Sequence, residues 1–600
     1  MDGTPSLIHL CVESAAKGLL LRDDYLLPQV FDLPSELFDS LLPRLQPLAL
    51  QKLFDGLHKY RPYGHEDDDY DGSLGTGSKR KRNENFNLAW KSLFQLRWPD
   101  LVGEMKVDDW QQTYWELHLQ NCLDEAAEKA VLPSFNGRIG HITISDAILK
   151  CIGFDGQAHS YLLQLDQHCW QFGLYVRSLR LQNVFCVGET RDLLRSCRLE
   201  SLNFSWIRSK EQVDALCELI KQHHDTLRSL KFNHCKLTSS LIDSICGSLH
   251  MPRLQSHRIR SFSITASIFL DNPKASFPVG FLSFIVSGRY LDSLNLCDMR
   301  LDWNHGKVLF SSLLEAASDV AVLDLSDNNQ ISGWLSNFDV ASLNSGKCLQ
   351  SLRVLNLRGN NLRKEDIYDL SQAMIYMPTL QKLDLSDNPI GDDGIRYLIP
   401  LLIKASEGVT PLDELNLGNC DLSSCGVVEF LKNLISSKVP LKALCISDNS
   451  LGSQIAPTLA EFLSTTIEIL DFGGVGLGPS GFDELLRITS ASPKLTVVKI
   501  DMSKNRGGLQ SAKFLSKLIE VAPCLVNVNA AYNLMPPESL AVIHSALKDV
   551  RGNLKLLNLA GNNWEEKTAN SALLDLQYGE HPLVVFDGMA GLDAPYDDDP

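Results

Sequence analysis

At 600 residues the chain is too long for one compact core, so several domains or a repeat array are expected. A formal net charge of −17 opposes binding to nucleic acid or to an anionic membrane, and no apolar run reaches the roughly eighteen residues that span a bilayer. The fifteen cysteines lack any CxxC pair and mostly stand where a small apolar residue would, as in LNLCDM and LGNCDL; this suits free thiols in the nucleus or cytoplasm better than a secreted disulfide scaffold.

Residues 1–58 read as a small all-helical module. In SLIHLCVESAAKGLLL, the residues Leu7, Leu10, Cys11, Ala15 and Leu19 share one helical face, with Thr4 as N-cap and Pro5 at the first helical position. The stretch is a poor signal peptide, because it lacks a basic start and Glu13 and Lys17 interrupt it. Pro34 starts a second helix with Leu37, Leu41 and Leu42 on its inner face; Pro43 and Pro47 punctuate it, and Leu50, Leu53, Phe54 and Leu57 form the next stripe. SLIHLCVESA resembles the elongin BC-box, small-Leu-x-x-x-Cys-x-x-x-aliphatic, with Ser6, Leu7, Cys11 and Ala15 on its defined positions. LPSELFDSL resembles the cullin-2 box, with Leu33, Pro34, Leu37 and Leu41 matching, and LPSELFDSLLPRL is also similar to the opening of an F-box. The resemblance implies that Leu7, Cys11 and Ala15 dock on elongin C (with elongin B) or that a Skp1-like adapter takes their place. It further implies that Leu33, Pro34, Leu37 and Leu41 meet a cullin, while the rest of the chain selects a protein for ubiquitination.

Residues 59–85, containing HEDDDYDGSLGTGSKRKRNEN, are acidic, then Gly/Ser-rich, then basic, and are expected to be a disordered linker. Lys79, Arg80, Lys81 and Arg82 form a candidate nuclear-import signal. GSLGTGSK imitates a phosphate loop, but its Ser precedes the Lys and no strand leads into it. Residues 86–175 read as a Trp-rich helical cap with irregular first units; the spacing of Trp90, Trp98, Trp110 and Trp115 resembles the segment that follows the F-box-like helices in elongin A.

From 176 to 590 one phrase recurs about every 26–32 residues: LRVLNLRGNNL from Leu352, LQKLDLSDNPI from Leu380, LDELNLGNCDL from Leu412, LKALCISDNSL from Leu441 and LKLLNLAGNNW from Leu554, with weaker copies between and upstream. This L-x-x-L-x-L-x-x-N/C-x-L pattern is the leucine-rich repeat. The L-x-L alternation is a short strand with its leucines inward, and Asn360, Asn388, Asn449 and Asn562 are placed to bond backbone groups in the following turn. Each remaining stretch, such as DDGIRYLIPLLIKA, reads as a helix. The expected fold class is therefore α/β: a leucine-rich-repeat solenoid resembling the ribonuclease-inhibitor horseshoe, preceded by the helical module and followed by an acidic tail at 591–600.

The residues between the strand leucines face the concave side: Asp324, Asn356, Asp384, Asn416, Asp471, Asn529 and Asn558, with Lys499 and Cys445 as exceptions. They are the candidate contacts for a protein substrate, and their carboxylates suit a basic one. No catalytic, metal or cofactor motif stands out: His223 and His224 lie in a helical stretch, and GGVGLGPSG at 473–481 falls where the repeat demands a turn. Two functions follow: a non-catalytic substrate receptor of a cullin–RING ubiquitin ligase, or a leucine-rich-repeat scaffold without a ligase link.

Overall fold

The computed structural model describes residues 26–59, 75–101, 107–154, 160–250, 257–267, 276–316, 319–336, 348–406, 412–489, 494–549, 553–564 and 583–585, with Ser14 and Gly18 as isolated helical positions. Leu7, Cys11 and Ala15 lie outside these residues, as does the 591–600 tail. The chain divides into two units, 1–250 and 251–600. No helix among the described residues is long and apolar enough to cross a membrane.

In the first unit, helices Leu26–Phe31, Ser35–Leu41 and Pro47–Lys59 share one core with helices Gly75–Arg97 and Trp110–Ala130. The core is aromatic: Phe38 packs on Phe31 and Phe86 at 6.3 and 6.1 Å, and Trp115 stacks on Phe172 at 4.0 Å with the rings 10° apart. The stretches before 59 and after 86 are thus one helical body and not the module and separate cap expected. The reason is size, since three short amphipathic helices bury too little apolar surface alone. Gln51 ties them together. Its Oε1 accepts from Gln111 Nε2 at 2.8 Å and Trp115 Nε1 at 2.6 Å, while its Nε2 donates to Asp55 at 2.9 Å and the Tyr175 hydroxyl at 2.6 Å.

The second helix differs from expectation by one face. Pro34 caps it, so Phe38, Leu41 and Leu42 turn inward and Leu37 turns out. The long helix also starts earlier than expected, at Gly75, which places the backbone of Lys79, Arg80, Lys81 and Arg82 in its first turns. Docking of Phe86, Trp90 and Phe94 in the core anchors that helix, and Lys and Arg have good propensity to extend it.

Three parallel strands complete the unit: β1 (Ser178–Gln182), β2 (Ser201–Ser205) and β3 (Ser229–Asn233). Helix Trp110–Ala130 covers the free edge of β1. Glu116 accepts from the Arg177 and Ser178 amides at 2.7 and 2.9 Å, and Gln120 bonds both the amide and the carbonyl of Arg180. An edge strand with open amides invites pairing with another chain, and these side chains close it.

The second unit continues the pattern with β4 (Ser261–Thr265), β5 (Ser293–Asn295), β6 (Val322–Asp324), β7 (Val354–Asn356), β8 (Lys382–Asp384), β9 (Glu414–Asn416), β10 (Ala443–Cys445), β11 (Ile469–Asp471), β12 (Lys499–Asp501), β13 (Asn527–Asn529), β14 (Leu556–Asn558) and β15 (Leu583–Val585). All pairs are parallel and in register, with Leu355, Leu383, Leu415, Leu444 and Leu470 stacked in one buried row. The asparagines behave as the repeat predicts. Asn388 Nδ2 donates to the carbonyls of Leu357, Leu385 and Ser386 at 2.9–3.0 Å, and its Oδ1 accepts from the Asn360 and Leu362 amides, both at 2.9 Å. Asn328, Asn449, Asn505, Asn533 and Asn562 repeat this role. Cys420 replaces one of them and reaches only the Leu385 and Gly418 carbonyls through Sγ.

Candidate functional site

Three-residue strands flanked by turns leave two outward columns per repeat, and the second column carries the polar side chains. Register places Asn295, Asp324, Asn356, Asp384, Asn416, Cys445, Asp471, Asp501, Asn529 and Asn558 side by side. All seven residues expected on this face are therefore brought together there. Asp501 belongs with them: Lys499 pairs with Ile469 and Asn527 in the first column, so the sequence-based alignment of that repeat, which put Lys499 in the polar column, is two residues out. The weak copy LTVVKIDM offers two ways to align its apolar residues, and only strand pairing separates them.

The structure assigns these side chains an internal task first. In the aspartates and asparagines of the column, Oδ1 accepts from the amide two residues on, at 2.9 Å for Asp324, Asp384, Asp471 and Asp501 and at 3.1 Å for Asn356. This Asx turn bends the chain out of the strand. Neighbours then bond across the column: Asn416 Nδ2 donates to Asp384 Oδ2 at 3.0 Å, Asn529 Nδ2 to Asp501 Oδ2 at 2.6 Å, and Cys445 Sγ to Asp471 Oδ2 at 3.2 Å. Asn416 and Asn529 thus orient carboxylates, and the carboxylates present negative charge to solvent. Burial and then the like charge of Asp501 push the Asp471 carboxyl up. Burial, followed by Asp471, pushes the Cys445 thiol well above the usual range, so it is a poor nucleophile.

A shallow depression of about 400 Å³ lies over β7–β11, floored by Asn356, Asp384, Asn416, Cys445 and Asp471 and crossed by the Lys382–Glu414 ion pair at 2.6 Å. Beside it the turns add Asp327, Asp387 and Asp448, all at positive φ (58°, 56° and 53°), a conformation Asp tolerates. At the same turn position Gly359 and Gly474 have φ of 65° and 67°, and a Cβ on either would stand 2.3 Å from Asp327 or Asp448 Oδ1. Gly473 and Gly474 are thus turn residues, whereas Gly478 opens the following helix and Gly481 is buried within it.

At the residues expected to meet a cullin, Pro34 is exposed, Leu33 half-buried and Leu37 38% exposed, but Leu41 is 1% exposed and belongs to the aromatic core. This corrects the four-residue surface to three, because Leu41 packs inside its own fold. Among the described residues one group of three metal-type donors comes together: His118, Cys122 and His168 in the first unit. The His-x₃-Cys spacing on one helix was visible in the sequence, but His168 arrives from a separate helix.

Two stretches match leucine-rich-repeat family descriptions, residues 351–373 and 376–398. The chain is similar to the ribonuclease inhibitor of Sus scrofa, 27% identical over 227 residues that cover 36% of this chain and 47% of that protein. It is also similar to the ribonuclease inhibitor of Mus musculus, 24% identical over 348 residues covering 57% and 72%. A Tonsoku-like protein of Danio rerio is 28% identical over 225 residues, covering 35% of this chain and 15% of the relative. The chain thus spans less than half the length of the pig and zebrafish relatives. Parallel strands, helices and the asparagine turns together define an α/β leucine-rich-repeat protein. Longer stretches of the chain are similar to the NACHT, LRR and PYD domains-containing protein 13 of Homo sapiens, 22% identical over 458 residues covering 72% of this chain and 40% of that protein.

Proposed function

We propose that this protein is a non-catalytic binding scaffold whose outward strand face in the second unit receives a basic protein segment. The observation that carries this reading is the carboxylate column Asp324, Asp384, Asp471 and Asp501 with Asp327 and Asp448 beside it, while Asp387 is already paired with Arg358. Oriented carboxylates attract Lys and Arg side chains and speed encounter with a basic partner. The ribonuclease inhibitors, by their name, act on another protein, which is consistent with a scaffold role. The test is fluorescence anisotropy of the full chain with a labelled Lys/Arg-rich peptide and its Glu-substituted counterpart. Replacing Asp327, Asp448 and Asp471 together by Asn keeps the turn acceptors and removes three charges. At roughly 0.5 kcal/mol per charge, binding of the basic peptide weakens about tenfold and its salt dependence flattens. Unchanged affinity, or equal binding of the acidic peptide, rejects the reading.

A second reading, substrate receptor of a cullin–RING ubiquitin ligase, draws support from the exposed Pro34 and Leu37 beside the box resemblance. It assigns elongin C or a Skp1-like adapter to Leu7, Cys11 and Ala15, and the cullin to Leu33, Pro34 and Leu37, with nuclear import through Lys79, Arg80, Lys81 and Arg82. Co-purification of adapter and cullin with the tagged chain, lost in Leu7→Ala with Cys11→Ala, tests it; capture of neither by the unaltered chain ends it.

A further inference from the structure

We propose that His118 Nε2, Cys122 Sγ and His168 Nδ1 form a three-coordinate site for a soft monovalent metal ion, copper(I), in the core of the first unit. His118 and Cys122 stand four residues apart on helix Trp110–Ala130 and so share its face, while His168 comes from helix Leu165–Phe172. The two nitrogens are 3.1 Å apart and the sulfur lies 3.7 and 3.8 Å from them. A metal about 2.0 Å from each nitrogen and about 2.3 Å from the sulfur sets these separations at about 3.3–3.5 and 3.5–3.7 Å. The donors therefore stand within a few tenths of an ångström of coordinating positions.

The outer contacts bear on this in two directions. His168 Nε2 donates to the Leu162 carbonyl at 2.6 Å, which leaves Nδ1 as the lone-pair nitrogen and fixes the ring's direction. Arg97 Nη1 donates to His118 Nδ1 at 3.2 Å, so without metal the His118 proton sits on Nε2 and bridges to His168. Binding moves that proton to Nδ1 and breaks the Arg97 contact; Arg97 keeps the Tyr114 hydroxyl at 3.2 Å and the Trp98 ring at 4.4 Å. Cys122 releases its thiol proton to solvent as the metal–sulfur bond forms, and no electron is transferred.

Charge and coordination number select the ion. All three donors are fully buried. Arg97 lies against His118, and the nearby Glu125 is already engaged by Lys129 and Ser145. A monovalent ion with one thiolate is neutral in this setting, whereas zinc would leave a buried positive charge beside Arg97. Imidazole and thiolate donors suit copper(I), and three ligands suffice for it, while structural zinc calls for a fourth.

Burial also supplies the test, because a metal in the core leaves only when the unit opens. The purified full chain is equilibrated anaerobically with copper(I) or zinc, washed briefly with a chelator and assayed for retained metal. One copper per chain is expected, with exposed thiols such as Cys151, Cys425 and Cys524 stripped. Cys122→Ser and His168→Asn should each weaken binding by a hundredfold or more and retain none. Circular dichroism confirms folding, and Cys122→Ala serves if the serine variant unfolds. No retained copper in the unaltered chain, retention in the variants, or zinc held in copper's place overturns the proposal.

Discussion

Replacing Asn388 by Ala tests the turn chemistry on which the array depends. The substitution removes five hydrogen bonds and leaves two buried amides, Asn360 and Leu362, without their acceptor. At about 1–3 kcal/mol for each orphaned group the ceiling is about 6 kcal/mol. The protein itself shows how much can be recovered. Where Cys420 stands in place of the next asparagine, the Ile390 amide turns back to the Asn388 carbonyl at 2.8 Å, and Leu451 does the same toward Asn449 at 2.8 Å ahead of Val475. One of the two amides thus finds a local partner, which brings the expected cost to about 3 kcal/mol. Asn388→Cys should cost roughly half that, since its thiol can still reach a carbonyl as Cys420 does. Urea unfolding gives the free energies, and hydrogen exchange at Asn360 and Leu362 gives the local effect that a non-two-state array requires. A loss below about 0.5 kcal/mol with both amides still protected would refute the reasoning.

Three further outcomes are expected. Gln51→Leu leaves Trp115 Nε1, Gln111 and the Tyr175 hydroxyl without their partner and should destabilise the first unit by about 3 kcal/mol, read from its thermal unfolding. Gln120→Ala uncovers the Arg180 backbone on β1 and should speed exchange of the Arg180 amide without altering exchange in β8. Burial lowers the His223 pKa from 6.5 to about 4, so the unfolded chain binds more protons between those values. Stability of the first unit should therefore fall as pH drops from about 6.5 toward 4, and His223→Gln should flatten that slope in thermal melts at stepped pH.

The repeats were legible because each carries its whole instruction within a few residues. Leu355 and Leu357 turn inward by strand alternation, and Asn388 serves backbone groups of its own turn and of the preceding repeat. A pattern stated many times survives its weak copies, with LTVVKIDM as the exception that hid Asp501. The polar column was visible too, but not its internal duties. An Asp in a strand and an Asp closing an Asx turn carry the same letter, and only the 2.9 Å bond to Ser386 distinguishes the role of Asp384.

The features that only packing settles lie mostly in the helical part of the first unit, ahead of its three strands. Sequence alone makes Leu41 an apolar residue on a short helix; packing buries it in the core that also holds Phe86 and Trp90 and leaves Leu37 outside. Gln51 reads as an ordinary surface residue until Tyr175, 124 positions away, closes on it. His118 and Cys122 acquire a third donor only when the helix carrying His168 docks. In the repeats, neighbours in space are copies at a regular interval, so local pattern predicts the contact. Among the helices that precede β1 the partners share no period, and only the free energy of burying the whole core selects them.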